Sequence, residues 1–262
     1  MRKLLTSLVL LGALGVVHQA HAAIGTVDAS WDACAPIVVD KTTTVAGPVG
    51  LVISILGHDE FHQGYEVWGI LGTAARTTPD AWAFDAAGCQ TPAGITIDHL
   101  SPVALSKTCP SFQGNAASVQ IKAYDTGAGS GDLQYDPNLR RLVLANAYPA
   151  GISTSLATQR YFLARFLFDH SFSVPGPGTP GVDCGGYENA ICFTMLGGSE
   201  PGSVATGKWW AKVNYLDQAG ATRELPVGNR IATFNNAGNP MGCAAVPAVN
   251  KTWGQIKSQY RN

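Results

Sequence analysis

The chain has 262 residues, of which 13% are charged, and its 17 Lys and Arg nearly balance its 18 Asp and Glu for a formal net charge of −1. That balance, without clustered cations, argues against a nucleic-acid binder or a coat for anionic membranes. The length suits one large β domain, because β sandwiches often exceed the usual domain size.

The first element is a signal peptide over residues 1–22. Arg2 and Lys3 precede an uncharged apolar stretch from Leu4 to Val17, and Ala20-His21-Ala22 supplies the small residues of a cleavage site. The stretch is about 14 residues, short of the roughly 20 that span a bilayer, and no later run is long enough. The reading is therefore a secreted, extracellular or periplasmic protein, not inserted in a membrane once the signal is removed. Losing Arg2 and Lys3 takes the 17 basic residues to 15 against 18 acidic ones, so the mature chain stays nearly neutral.

The next 228 or so residues, 23–250, read as one β domain, since short apolar runs are punctuated by Gly, Pro, Asn and Asp throughout. Val49 to Leu56 is apolar on both faces, as an interior strand is, and Tyr65 to Leu71 alternates; a turn from Gly57 to Gly64 predicts that the two form a hairpin. Further strands are expected at Val119 to Tyr124, Leu139 to Ala145, Ile191 to Leu196 and Trp209 to Leu216. Ser155 to Val174 also matches a helical face, but its second half reads as a strand, with Ala164, Phe166, Phe168, Phe172 and Val174 on one side. Val174 to Gly186, Ser199 to Gly207 and the Gly127, Gly129, Gly131 cluster read as loops. The last segment, 251–262, is expected to be a short helical tail packed on the domain: Thr252 is its N-cap, and Trp253, Ile256 and Tyr260 share a face.

These elements predict an all-β fold, an antiparallel β-sandwich of cohesin-like or immunoglobulin-like kind with a short C-terminal helix. The order of features resembles a group of uncharacterised secreted bacterial proteins. It runs from Pro79-Asp80-Ala81-Trp82 and Gly88-Cys89 through Cys109, Tyr161-Phe162, Cys184-Gly185-Gly186 and Ile191-Cys192-Phe193. It ends in the tail Trp253-Gly254-Gln255-Ile256-Lys257 with Tyr260-Arg261. More distantly, the strand pattern is similar to cohesin-like and carbohydrate-binding sandwiches.

All six cysteines follow the signal, and an even number in an oxidising compartment reads as three disulfides. Pairing by the shortest loops joins Cys184 with Cys192 and Cys89 with Cys109, leaving Cys34 with Cys243. Six cysteines allow 15 pairings, so that assignment is a guess among them.

Three patterns are candidates for chemistry. His58-Asp59-Glu60-Phe61-His62 places two histidines four apart, and His58, Asp59 and His62 supply ligand types that zinc accepts. Gly57 and Gly64 bracket too few residues for the helix that this spacing needs in zinc peptidases, so a polar loop is the simpler reading. Asp125, Asp132 and Asp136, separated by glycines, are a weaker calcium candidate. Trp209, Trp210 and Tyr215 share one expected strand and are candidate ligand-binding residues for a glycan, although tryptophans in sandwiches mostly fill cores. The nucleophile motif Gly-x-Ser-x-Gly is absent. The expectation is a secreted non-catalytic binding or structural module that contacts a glycan or cell-surface protein without a cofactor. The alternative is a metal-dependent hydrolase built on His58, Asp59 and His62.

Overall fold

The structure is a computed structural model that describes residues 25–57, 61–73, 75, 77–86, 88–112, 119–125, 140–153, 158–195, 213–217, 219–224, 227–228 and 231–235. The described chain is a β-sandwich. The strands are β1 (Val27–Trp31), β2 (Asp40–Lys41), β3 (Val49–Leu56), β4 (Phe61–Gly72), β5 (Ile95–Asp98) and β6 (Val119–Asp125). They continue with β7 (Arg140–Ser153), β8 (Arg160–Phe168), β9 (Ile191–Met195), β10 (Val213–Asp217), β11 (Thr222–Glu224) and β12 (Ile231–Phe234). Helical structure among the described residues is limited to single turns at Asp80–Trp82, Pro92–Gly94 and Val103–Ser106. None of these is long and apolar enough to cross a membrane.

The smaller sheet has the order β1-β3-β8-β5, and every pairing in it is antiparallel. The larger sheet is organised around β4. One edge of β4 pairs with β7 along nearly its whole length, and β7 carries β6 beyond it. The other edge is divided: β10 takes the first half, from His62 to Val67, and β9 takes Gly69 to Gly72. Strands β12 and β2 follow β9, the last in parallel, which makes this sheet mixed.

Alternation along each strand sends Val49, Leu51, Ile53 and Ile55 of β3 and Val67 and Leu71 of β4 into one core, with Phe166, Phe168, Phe193 and Phe234. Gly69 occupies a core-facing position because the Phe193 ring lies across it; a Cβ there would sit 2.2 Å from that ring. The expected interior character of Val49 to Leu56 holds, since seven of its eight residues are buried. The expected hairpin with the next strand does not. β3 pairs with β1 and β8, while β4 lies in the opposite sheet, so the connection crosses the sandwich from one layer to the other.

Strand β8 also departs from the sequence reading. It ends at Phe168, and Phe172 lies beyond it, 62% exposed. A register shift opposite Ile53 and Ser54 turns Phe162 to the outer face, where it packs with Val52, Leu105 and the Cys34–Cys109 bridge. On the same outer face, Arg160 donates to Asp28 at 2.7 Å and to Ser54 at 3.1 Å.

The disulfide guess is overturned. Cys34 bonds Cys109 and Cys89 bonds Cys184, so none of the expected pairs Cys34–Cys243, Cys89–Cys109 and Cys184–Cys192 forms. The reason is topological. Folding brings segments 75 and 95 residues apart in sequence to Cα separations of 5.8 and 5.7 Å. Cys192 is also disulfide-bonded, and no described cysteine is free. Such bridges persist in oxidising compartments outside the cytosol.

Candidate binding surface at the loop end

Strands β1, β4, β8 and β12 finish at one end of the sandwich, and β3, β5 and β9 begin there, so the loops 32–48, 73–94 and 169–190 gather at that end. Their floor is aromatic. The Trp82 ring lies 4.4 Å from the His170 ring, 5.1 Å from Phe234 and 5.3 Å from Phe168, and Tyr187 lies 4.9 Å from His170. Trp31 closes the floor from the smaller sheet, 5.6 Å from Phe234.

The loops are locked to that floor and to one another. The Cys89–Cys184 bridge joins the second loop to the third. The Ala81 amide donates to the Gly185 carbonyl at 2.9 Å. Asn235 ties the first loop to the third: its Oδ1 accepts from the Thr43 amide at 2.9 Å, and its Nδ2 donates to the Tyr187 carbonyl at 3.0 Å. Tyr187 Oη in turn donates to the Val45 carbonyl at 3.2 Å, and burial, assisted by Asp32, pushes this phenol up to about 12. Within the third loop the backbone crosses itself so closely that a Cβ at Gly178 would lie 2.5 Å from the Gly185 nitrogen, and Gly178 has φ +69° besides.

His170 is the basic titratable group in this floor. Its ring is fully buried, and Nδ1 lies 3.0 Å from Ser173 Oγ, which accepts from Gln90 Nε2 at 2.7 Å. The Ser173 hydroxyl thus links Gln90 to the imidazole, whose Nε2 is buried. Burial lowers its pKa from 6.5 to about 4, with the Ala81 backbone and Asp169 opposing. The unfolded chain therefore binds a proton that the native chain refuses across this interval. Stability from this group is complete above pH 6.5 and is lost as pH falls toward 4, by roughly 3 kcal/mol at about 1.4 kcal/mol per unit. Urea unfolding at pH 7 and pH 4.5 is expected to show that decline in the wild type and a smaller one in His170→Phe. Equal declines would remove His170 as the cause.

On these loops three large apolar side chains are mostly exposed to solvent, Val45 at 76%, Phe172 at 62% and Val182 at 68%, with Val39 less so at 49%. Phe172 and Val182 flank the Cys184 bridge, through the Cys184 amide bonded to the Phe172 carbonyl, and Val45 is held by Tyr187. The exposed charges among the described residues of these loops, Asp32, Asp80, Asp169 and Glu188, are acidic. Lys41 is paired with Asp32, and hydrogen bonds from Ser171 hold the Asp169 carboxyl below its ordinary range.

The residues singled out from the sequence lie elsewhere. His58 and Asp59 fall outside the described residues; His62 stands on β4, in register with Ile152 and Asp217. Trp209 and Trp210 are also outside them, and Tyr215 stands on β10 opposite Tyr65. Asp125 ends β6 opposite Arg141, while Asp132 and Asp136, like the expected helix at 251–262, lie outside the described residues. No group of three His, Cys, Asp or Glu suited to a metal occurs among the described residues. The sequence reading missed Val45 and Val182 altogether and placed Phe172 in a strand. The turn signal was present as Asp169-His170-Ser171, where the Asp169 carboxylate accepts from the Ser171 amide at 2.9 Å.

No protein-family model matches the chain, and no curated protein matches it. Among solved structures it is similar to a type II cohesin domain from the cellulosome of Acetivibrio cellulolyticus, with a TM-score of 0.39 and 12% identity over 82% of this chain and 96% of that one. It is also similar to a cohesin module from a Clostridium perfringens family 33 glycoside hydrolase, with a TM-score of 0.37 and 8% identity over 81% and 97%. A non-cellulosomal cohesin from Archaeoglobus fulgidus gives a TM-score of 0.34 and 13% identity over 81% and 90%. The similarity lies in the course of the strands.

Proposed function

We propose that this chain is an exported, non-catalytic binding module whose loop end docks on a protein partner at the cell exterior. The observation that carries this reading is the exposure of Val45, Phe172 and Val182 on loops that a disulfide and Asn235 hold rigid. Apolar side chains on preorganised loops bind without the ordering cost that flexible loops incur. Two of the three are aliphatic, which suits a partner's apolar side chain better than the flat face of a sugar ring. The acidic residues among them favour a partner whose apolar anchor is flanked by Lys or Arg.

A photoreactive phenylalanine analogue placed at Phe172 in the exported protein is expected to capture one discrete adduct in the native extracellular milieu. Placed at Thr96, on edge strand β5, it should not. Val45→Asp and Val182→Asp together should abolish the adduct while changing stability by less than about 0.5 kcal/mol, as surface substitutions generally do. Raising the salt to about 1 M, where the screening length is about 3 Å, should weaken capture. An adduct of equal yield from Thr96, or one indifferent to both valine substitutions, overturns the reading.

A further inference from the structure

We propose that the Cys89–Cys184 bridge is a site of thiol–disulfide exchange in the folded protein, attacked at Cys89 and opened by a dithiol. Exchange at this bridge is independent of what the loop end docks on.

The first observation is that the sulfurs are unequally shielded. Cys34, Cys109, Cys184 and Cys192 are exposed by 0%, 0%, 3% and 2%, whereas Cys89 is an exposed residue. The local chain puts it there. Gly88 donates to the Asp85 carbonyl at 2.9 Å and backs so closely on Ala83 that a Cβ would lie 2.1 Å from its carbonyl oxygen. Gln90 is buried, with its side chain turned inward to Ser173, so the residue between them is left on the outside. Exchange begins when a thiolate reaches a disulfide sulfur. The Cys34–Cys109 bridge is packed with Val52, Leu105 and Phe162, and reaction there waits on local opening. Cys89 can be reached without any movement of the fold.

The second observation decides which thiol completes the reaction. The Cys184 amide donates to the Phe172 carbonyl at 2.8 Å, its carbonyl accepts from the Val174 amide at 2.9 Å, and Gly185 accepts from the Ala81 amide at 2.9 Å. Beside Cys89, the Gln90 amide donates to the Ala83 carbonyl at 3.0 Å and its Nε2 to Ser173 Oγ at 2.7 Å. None of these bonds runs through sulfur, so they hold Cys184 near Cys89, from which its Cα is 5.7 Å distant in the bridge, after the bond opens. A group held at such range reacts far faster than one arriving from solution. A monothiol joined to Cys89 is therefore expelled by Cys184, and the bridge closes again. A dithiol escapes this because its second sulfur is as near to the mixed disulfide as Cys184 is.

One thiolate of the reductant bonds to Cys89 Sγ as the Cys89–Cys184 bond breaks, and Cys184 leaves with the electron pair and takes up a proton. The reductant's second thiolate then bonds to its first sulfur, and Cys89 leaves and is protonated in turn. Two electrons pass to the bridge, and the dithiol departs as a disulfide.

The test treats the full-length folded protein at about pH 8, where thiols are partly ionised, with dithiothreitol or 2-mercaptoethanol, then quenches, alkylates and maps the peptides. Dithiothreitol should open Cys89–Cys184 at least about tenfold faster than Cys34–Cys109. Equal rates for the two bridges would place exchange in the unfolded chain and overturn the proposal. The 2-mercaptoethanol adduct should map to Cys89, and an adduct on Cys184 overturns the point of attack. At equal total thiol, 2-mercaptoethanol should leave at least about tenfold less of the bridge open in the folded protein than in urea, where nothing holds the two cysteines together. Equal opening in the two conditions overturns the requirement for a dithiol.

Discussion

Replacing Cys89 and Cys184 together by serine is expected to lower the unfolding free energy by about 4 to 5 kcal/mol, the chain-entropy cost of releasing a closed loop of roughly 100 residues. The bridge spans 95 residues of sequence, so its loss enlarges the denatured ensemble more than a short-range bridge would. A domain with an ordinary margin of about 5 to 15 kcal/mol would be left close to unfolding at growth temperature. The native state loses order as well, because the bridge is the covalent link between the loops 73–94 and 169–190. Limited proteolysis should therefore cut first near Gly181, where the loop is exposed. Denaturant melts of the variant against wild type measure the first effect. A difference under about 1 kcal/mol would mean that the denatured chain keeps these loops together without the bond.

Trp82→Ala should cost about 3 to 5 kcal/mol, the range for deleting a large aromatic side chain from a packed interior. Trp82 is fully buried and meets Trp31, Phe168, His170 and Phe234, so its removal opens a cavity that both sheets share. Trp68 provides the control. It lies half-buried on the outer face of the larger sheet, bonded to Glu66 and covered by the Arg141 guanidinium at 5.3 Å. Trp68→Ala forfeits a cation–π contact of roughly 0.5 to 1 kcal/mol together with part of one side chain's burial, and should be the milder change. Comparable losses in the two variants would show that the floor of the loop end is not where the fold's aromatic stability is concentrated.

The strands that could be read from the sequence are those whose burial is written in their own residues. Val49 to Leu56 is apolar on both faces and proved interior, and Ile191 to Leu196 matched β9 almost residue for residue. The hairpin expected after Leu56 failed because a short polar connection looks the same whether it joins neighbours or crosses between layers. The choice rests on which edges are vacant, and β8 and β7 fill them from far along the chain. The outward turn of Phe162 is equally unmarked: a single bulge reverses the faces, and no local residue signals it. Strand β1, Val27-Asp28-Ala29-Ser30-Trp31, was overlooked because Asp28 and Ser30 made it look like loop; Arg160 and the Val38 amide satisfy those two polar groups.

The candidate surface was the least legible part. Val45, Phe172 and Val182 are ordinary apolar residues in loops, and only exposure distinguishes them from core. Trp209 and Trp210 drew attention instead, and both lie outside the described residues. Disulfide connectivity was illegible because the fold brings distant segments together, at the loop end for Cys89–Cys184 and on the outer face of the smaller sheet for Cys34–Cys109.

The two assigned bridges interleave: Cys89 lies between Cys34 and Cys109, and Cys109 lies between Cys89 and Cys184. A chain threading amino terminus first into an oxidising space presents Cys34 and Cys89 together well before Cys109 arrives. An oxidant that joins cysteines in order of emergence makes Cys34–Cys89 and then Cys109–Cys184, and neither belongs to the native set. Each of these errors holds one cysteine from each native bridge, so mending either requires thiol exchange and not further oxidation. Where oxidation runs ahead of folding, native pairing therefore needs a shuffling step, supplied by an isomerase or by the thiols of the chain itself.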